Sequence, residues 1–303
     1  YGVPADAVVE VAIENRNDNS EREVGIRATG SSLNRNFDLH EAERGGVEVV
    51  VVHAQANASS EIEYFAENTG DIVFRPIGYW TGASYDELAG SFTASASGSW
   101  QTHSLSSFGV SPGQIVEIAI QNTNGSSEYQ GGVRKTGSGI NRRFDVHESE
   151  SGGKDFVSLF VEVSSDASAT IEVYAENNGQ IEFKVVGAWS TPPGTYHEAS
   201  VDLGTATSDS TWETVALSGH GVPGNAVVQI TISNRATATE SLQGVRTVGS
   251  ALDRRIDLHE AESGGEDLAT MHVQADGSSQ IQWYHEDVSD AHRFYLVGWW
   301  VLN

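Results

Sequence analysis

Apolar and polar residues alternate with a period of two along most of the chain. In the first such segment Val9 and Val11 fall on one side and Glu10 on the other. This period places successive side chains on opposite faces of a β-strand. The stretch 49–54 is almost continuously apolar, which is typical of a strand covered on both faces.

Clusters of Gly, Asn, Ser and Asp separate these segments, for example at 15–20 and 122–127. No segment has a sustained helical period of 3.6 residues. Short strands at regular spacing, divided by turn residues, predict an all-β sandwich or barrel. We expect about eight strands in each structural unit, in a jelly-roll-like topology.

One pattern of about a hundred residues occurs three times. Its most distinctive part reads GIRATGSSLNRNFDLHEAERGG at 25–46, GVRKTGSGINRRFDVHESESGG at 132–153 and GVRTVGSALDRRIDLHEAESGG at 244–265. A fixed internal period indicates a repeated structural module. The sequence therefore predicts three tandem β-sandwich modules, at 1–85, 86–195 and 196–303.

The first module lacks a segment that the other two have. Strand-like stretches at 91–106 and 200–218 open the second and third modules, and Trp100 corresponds to Trp212. An unpaired sheet edge invites another strand. We expect a rod of three modules with an exposed edge near Val8–Asn15, which strands of another copy cover in a head-to-tail contact.

Charge and composition exclude several classes of partner. The net charge is -25 and the estimated pI about 4.6, so binding to nucleic acid or to anionic lipid is not expected. No apolar run is long enough to span a membrane, and no cysteine is present. The chain begins at Tyr1 without a signal-peptide pattern, and we expect it to be processed or cut from a longer protein.

The repeated motif is rich in charged residues. Arginine suits it because its guanidinium group binds carboxylates through two hydrogen bonds. We interpret the motif as a network that ties two strands and a turn within each module. Its members are Arg27, Arg35, Asp38, His40, Glu41 and Glu43, then Arg134, Arg142, Asp145, His147, Glu148 and Glu150, then Arg246, Arg254, Asp257, His259, Glu260 and Glu262.

Two chemical alternatives remain for this motif. Ca²⁺ prefers oxygen ligands and could be held by Asp38, Glu41 and Glu43 or their equivalents, although no metal or other cofactor is required. Catalysis is not expected. The zincin H-E-x-x-H pattern is absent, and Ser31 and its equivalents lack a nucleophile elbow.

Aromatic residues near the last strand of each module have two interpretations. They could stack on sugars, or they could seal the junction between modules, which we favour. The residues are Tyr79, Trp80, Trp189, Trp299 and Trp300. Asn57 and Asn124 lie in N-glycosylation sequons. The motif glycines at 30, 137 and 249 predict turns with positive φ.

The module, with its G-[VI]-R-x-x-G-S and H-E-x-E-x-G-G segments, resembles uncharacterised tandem β-sandwich repeats of environmental bacterial surface and filament proteins and of phage structural proteins. The resemblance covers nearly the whole chain. It implies an extracellular or virion-surface structural role, with subunits joined head to tail by strand exchange. It implies no catalytic residues.

From these observations we expect a structural subunit of an extracellular filament or surface array, with itself as the main partner. Heterologous contacts that do not close generate filaments. The alternative is a carbohydrate-binding adhesin or a phage receptor-binding protein. An enzyme is the least favoured class.

Overall fold

A computed structural model describes residues 2–42, 46–149, 153–261, 265–289 and 291–303. The protein is all-β, and its strands form six antiparallel sheets that pack in pairs as three jelly-roll-like β-sandwiches. The helical residues in the described part are the short 3₁₀ turns Ser106–Phe108 and Ser218–His220. Within the described ranges, no helix is long and apolar enough to cross a membrane.

The second module contains the full set of eight strands. These are β7 (Ser84–Thr93), β8 (Ser99–Ser104), β9 (Ile115–Asn122), β10 (Tyr129–Lys135), β11 (Arg143–Val146), β12 (Phe156–Glu162), β13 (Thr170–Ala175) and β14 (Ile181–Thr191). Its two sheets have the orders β12-β9-β14-β7 and β11-β10-β13-β8. Successive strands alternate between the two sheets, except that β10 and β11 pair within one sheet, in the manner of a jelly roll.

The third module repeats this arrangement. Its strands are β15 (Gly194–Gly204), β16 (Glu213–Ala216), β17 (Val227–Asn234), β18 (Ser241–Thr247), β19 (Arg255–Leu258), β20 (Asp267–Gln274), β21 (Gln280–His285) and β22 (His292–Leu302). Strands β7 and β8 pair with β14 and β13, and β15 and β16 pair with β22 and β21. We call β7–β8 and β15–β16 the leading pairs of their modules.

The first module has six strands and no leading pair among the described residues. They are β1 (Val8–Asn15), β2 (Arg22–Ala28), β3 (Asn36–Leu39), β4 (Glu48–Gln55), β5 (Ile62–Ala66) and β6 (Ile72–Trp80). Its sheets have the orders β4-β1-β6 and β3-β2-β5. The expectation of an exposed edge at Val8–Asn15 is wrong, because β1 pairs with β4 on one side and β6 on the other. The module's sheets end at β4 and β6 and at β3 and β5. The edges of β6 and β5 are the ones whose equivalents a leading pair covers in the other modules, and we call them the open edge.

The three modules close into a ring around a pseudo-threefold axis. Lys154 N donates to Asp38 O at 2.8 Å, which joins the second module to the first. The same bond recurs from Glu266 N to Asp145 O and from Val47 N to Asp257 O, at 3.0 and 2.7 Å. Each module is therefore tied to both others, and the expected rod of three modules is wrong.

The sheets that contain β4, β12 and β20 face this axis, and these three strands contact one another. Their apolar residues enter neighbouring cores. Val49 of β4 packs in the core of the third module, Phe156 of β12 in that of the first, and Leu268 of β20 in that of the second. The three residues occupy the same position of the repeat, so the continuous apolar pattern at 49–54 reflects burial by a neighbouring module.

The second glycine of the motif's Gly-Gly ending is required by a close approach between modules. A Cβ added to Gly153 would lie 2.5 Å from the Cα of His40, and one added to Gly46 would lie 2.7 Å from the Cα of His259. Gly265 stands in the same relation to His147, at 3.1 Å. Because backbone atoms lie on both sides of this contact, a side chain added there would force the main chain to move.

We therefore expect Gly153→Ala to lower the free energy of unfolding by about 1–3 kcal/mol, as overpacked sites do. Gly139→Ala is the matched control, since nothing lies within 4 Å of its added Cβ, and it should change stability by less than about 0.5 kcal/mol. Urea unfolding followed by fluorescence measures both. Equal effects of the two substitutions would contradict the account of the junction.

Candidate functional site

The motif residues separate into three places rather than forming one network within each module. The arginines that follow the first motif glycine, Arg27, Arg134 and Arg246, lie on the outer sheets. Arg35, Arg142 and Arg254 are buried between modules, and His40, His147 and His259 meet at the axis. The expected network within each module is thus wrong in location. Glu43, Glu150 and Glu262 lie outside the described residues.

The glycine and serine of the motif's G-S pair form a turn in each module. Gly30, Gly137 and Gly249 have φ of 83°, 79° and 76°, which confirms the predicted positive-φ turns. Ser31 Oγ accepts a hydrogen bond from Leu33 N at 3.3 Å, and the equivalent serines do the same. The serine hydroxyl therefore holds a turn.

The histidines form a triad on the axis. Ring centroids are 6.2 Å apart for His40 and His147, 5.7 Å for His40 and His259, and 5.6 Å for His147 and His259. All three are buried. Each of these histidines directly follows β3, β11 or β19. The motif glycine of a neighbouring module leaves room for its backbone, so the three histidines can meet at the axis.

Three carboxylates at equivalent positions surround this triad. Glu48, Asp155 and Asp267 begin or precede β4, β12 and β20, and all are buried. His259 Nε2 lies 3.1 Å from Glu48 Oε2, 3.7 Å from Asp155 Oδ1 and 4.0 Å from Asp267 Oδ2. We call these six residues the axial cluster. Sequence reasoning missed its carboxylates because they lie outside the charged motif.

The charges of the axial cluster shift one another's pKa. Burial raises the pKa of Asp267 to about 7, and the nearby Asp155 carboxylate contributes. Burial likewise raises the pKa of Glu48 well above its usual value. Burial opposes protonation of His259, but Asp267 and Asp155 outweigh it and hold the pKa of this imidazole well above normal. Close packing of carboxylates away from water is thus unfavourable without added positive charge.

The remaining acidic motif residues lie around the ring contacts. The half-buried side chain of Asp38 lies 3.5 Å from Lys154 Nζ. Asp145 and Asp257 hold the same position, and burial raises the pKa of both. Glu148 and Glu260 are buried, whereas Glu41 is half-buried. The converging groups among the described residues do not include Asp38 or Glu41, and because Glu43 lies outside those residues the Ca²⁺ hypothesis stays a prediction.

Three tryptophans pack together on the axis at the end of the inner sheets opposite the axial cluster. They lie on β6, β14 and β22. Trp80, Trp189 and Trp300 have ring centroids 5.6–6.0 Å apart in edge-on contacts. Trp189 and Trp300 are fully buried. These three side chains are inaccessible to a sugar, and they pack at the junction as the favoured interpretation states. Trp299 stacks on His197 of β15 at 5.2 Å, while Tyr79 is half exposed.

A second polar group, made of Glu10, His53, Glu117 and His272, lies beside this tryptophan triad. Glu10 Oε1 accepts hydrogen bonds from the backbone N of His272 at 2.9 Å and from its Nδ1 at 2.8 Å. His53 Nδ1 lies 3.1 Å from Glu117 Oε1. The third equivalent position is Phe160, which packs against both histidines.

The two sequon asparagines have structural partners. Asn57 Oδ1 accepts from Ser59 N and Glu61 N, and Asn124 Oδ1 accepts from Ser126 N. Both side chains therefore hold turns, and their glycosylation remains a prediction.

The open edge of the first module is the largest departure from threefold symmetry. A groove of about 670 Å³ lies between its two sheets, lined by apolar residues that include Val9, Val11, Ile26 and Phe74. Tyr64 on β5 is 67% exposed, whereas its equivalents Val173 and Trp283 are 1% and 6% exposed. The leading pairs of the other modules account for this difference.

Each leading pair also reaches the module before it. Glu87 Oε1 on β7 accepts from Arg35 Nη1 at 3.0 Å and from Ala28 N at 2.6 Å. Its equivalent Glu198 on β15 accepts from Lys135 N at 2.9 Å and lies 3.9 Å from Arg142 Nη1. The leading pairs thus bridge modules one to two and two to three.

Among the described residues, no leading pair bridges modules three and one. Arg254, the equivalent of Arg35 and Arg142, is nine-tenths buried, yet its Nε and Nη2 have no hydrogen-bond partner among the described residues. Its nearest carboxylate oxygen, Glu10 Oε2, lies 3.7 Å from Nη2. A buried guanidinium without bonded acceptors is costly. A leading pair for module one would supply the missing glutamate.

Comparisons with known proteins give little further information. No known protein-family model matches the chain, and no curated protein does. Among solved structures the chain resembles that of Macrobrachium rosenbergii nodavirus, with 12% identity, coverage of 73% of this chain and 89% of the other, and a TM-score of 0.24. Sulfolobus turreted icosahedral virus gives 9% identity, 100% and 81% coverage, and a TM-score of 0.23.

A further similar structure is described as the triple jelly roll fold and turret assembly of an archaeal virus. It has 9% identity, coverage of 98% of this chain and 79% of the other, and a TM-score of 0.20. Scores this low carry no argument about function.

Trp189→Ala should lower the free energy of unfolding by about 3–5 kcal/mol, because it empties the centre of the tryptophan triad. Tyr79→Ala removes a half-exposed aromatic and should cost less than about 1 kcal/mol. Calorimetric unfolding of both variants measures the difference. A Trp189→Ala protein as stable as the Tyr79→Ala protein would refute the buried junction.

Proposed function

We propose that this protein is a structural subunit of an extracellular or virion-surface assembly, built as a filament or array of copies of itself. A strand pair from a neighbouring subunit completes the open first module. The observation that carries the proposal is the missing bridge at Arg254, together with the unpaired edges of β5 and β6. Catalysis plays no part in this proposal.

The leading pairs of modules two and three predict which side chains the incoming strands need. In the second and third modules a tyrosine covers a glycine of the adjacent strand: a Cβ on Gly187 would collide with Tyr85, and one on Gly298 with Tyr196. At the equivalent Gly78 the neighbouring atoms belong to Glu10. The incoming strand would place a tyrosine there, and its hydroxyl would reach Glu10 as Tyr85 OH reaches Glu117.

The second incoming strand would carry a tryptophan. Trp100 of β8 lies over the guanidinium of Arg134 at 4.1 Å and packs on Tyr174 at 5.7 Å. Trp212 does the same for Arg246 and Tyr284. The equivalent Arg27 and Phe65 in module one have no such cover among the described residues, and Phe65 is 44% exposed. A Tyr-x-Glu strand followed by a Trp strand therefore matches the open edge.

Both leading pairs of this chain are paired within their own modules, so the incoming strands would be a pair exchanged by a neighbouring copy. Such a contact joins unlike surfaces, and it continues from subunit to subunit when the rotation between copies does not close a ring. Main-chain pairing with β5 and β6 would give affinity, and the tyrosine, glutamate and tryptophan would give register. The carbohydrate-binding alternative loses Trp80, Trp189 and Trp300 as candidate sugar platforms, because these side chains are buried.

A synthetic peptide covering residues 84–104 tests the open edge directly. We expect it to bind the intact protein with one-to-one stoichiometry and to slow hydrogen exchange in β5 and β6. A peptide with Glu87→Ala should bind at least about tenfold more weakly, because Arg254 then gains no hydrogen-bonded carboxylate. Fluorescence anisotropy of the labelled peptides measures both affinities. No binding, or equal affinity for the two peptides, would contradict the predicted contact.

Assembly itself provides the second arm of this test. Excess wild-type peptide should cap module one and suppress the growth of native assemblies, followed by light scattering. The Glu87→Ala peptide at the same concentration is the control and should suppress growth much less. Assembly that proceeds unchanged in the presence of bound peptide would separate the open edge from the assembly contact and overturn the proposed function.

A further inference from the structure

The axial cluster has the composition of a metal site. It brings imidazoles and carboxylates together from all three modules, fully shielded from solvent. One ligand atom from each of His40, Asp155 and His259 lies within 4.8 Å of the others, and the same holds for Glu48, Asp155, His259 and Asp267. The two groups share Asp155 and His259, so they describe one locus.

The unsatisfied atoms of this locus point to an absent ligand. Neither oxygen of Asp155 and neither oxygen of Asp267 has a hydrogen-bond partner among the described residues. Buried carboxylates of this kind are normally bonded, paired or coordinated to a metal. In the second polar group, by contrast, the Glu10 carboxylate accepts two hydrogen bonds from His272, although Nε2 of His53 and of His272 has no partner among the described residues.

The tautomer of His40 is already set for coordination. Its Nδ1 lies 3.0 Å from the carbonyl oxygen of Glu41 and donates to it. In the neutral ring this leaves the lone pair on Nε2, which is buried and has no hydrogen-bond partner among the described residues. Histidine ligands of metals commonly have this arrangement, with the distal N–H bonded to a carbonyl or carboxylate.

The separations also fit an ion between the groups. Asp155 Oδ1 and His259 Nε2 are 3.7 Å apart, too far for a hydrogen bond. Ligand atoms about 2.0–2.2 Å from a zinc ion lie about 3–4 Å from each other. We propose that the axial cluster binds one divalent first-row transition-metal ion through His40, Asp155 and His259, with Glu48 or Asp267 completing the coordination.

The mixed donor set selects this chemical class. Imidazole suits zinc, iron, nickel and copper, whereas Ca²⁺ prefers a shell made of oxygens alone. The ion would be enclosed by protein ligands and would serve a structural role. It would fasten the modules to one another at the end of the axis opposite the tryptophans, and it would balance the buried carboxylate charge.

The test uses the intact chain after removal of metal by dialysis against EDTA. We expect one equivalent of Co²⁺ to bind and to give the visible absorption of nitrogen- and oxygen-coordinated cobalt. Zn²⁺ should displace it and raise the melting temperature. Asp155→Asn and His40→Gln should each weaken Co²⁺ binding by at least about tenfold. His197→Gln changes a surface histidine and should bind like the wild type.

Anomalous X-ray scattering from wild-type crystals grown with Zn²⁺ keeps the proposal testable if the variants do not fold. A peak between His40, Asp155 and His259 supports it. Two results would overturn it. One is the absence of a stoichiometric Co²⁺ spectrum and of any such peak, which would mean that protonated imidazoles alone balance the carboxylates. The other is Co²⁺ binding that folded Asp155→Asn and His40→Gln variants retain in full, which would place the ion on the acidic surface.

Discussion

Packing of three repeats around one axis is the constraint on which the rest of the structure depends. Each repeat leaves apolar residues of β4, β12 or β20 uncovered by its own sandwich, and the preceding repeat in the ring covers them. The backbone bonds that β3, β11 and β19 accept from a neighbouring module fix the rotation between modules. This closure explains why a glycine must face each axial histidine. It also explains why polar residues of three different modules meet at the axis.

Much of the fold could be predicted from periodicity and repetition. The all-β class, the three modules and the missing strands of the first module follow from patterns read along the chain. The positive-φ turn glycines followed from residue type, as at Gly30. Closure of the ring could not be predicted, because no local pattern distinguishes a strand buried by its own module from one such as β4 that is buried by a neighbour.

The site was only partly predictable for the same reason. The repeated motif points to histidines such as His40, but its pattern predicts that their charged partners lie within the same module. Glu48, Asp155 and Asp267 lie outside the charged motif, at the starts of strands that read as apolar. Their convergence depends on the rotation between modules, which is a property of tertiary packing. Arg254 is equivalent to Arg35 in sequence, but no leading pair supplies it with a hydrogen-bonded glutamate among the described residues.

The two ends of the axis and the open edge have complementary roles in this account. The tryptophan triad and the axial cluster hold the subunit rigid, and the open module gives that rigid body one surface able to accept strands. An acidic surface with net charge -25 limits unspecific association through repulsion. Association then depends on main-chain pairing and on a few side chains with matched positions.

Cryo-electron microscopy of the native, unproteolysed assembly tests the central claim most directly. The account predicts a continuous filament or array in which two additional strands lie against β5 and β6, with a carboxylate at Arg254 and an aromatic ring over Arg27. Dispersed three-module particles at high concentration, with the edges of β5 and β6 bare, would contradict it.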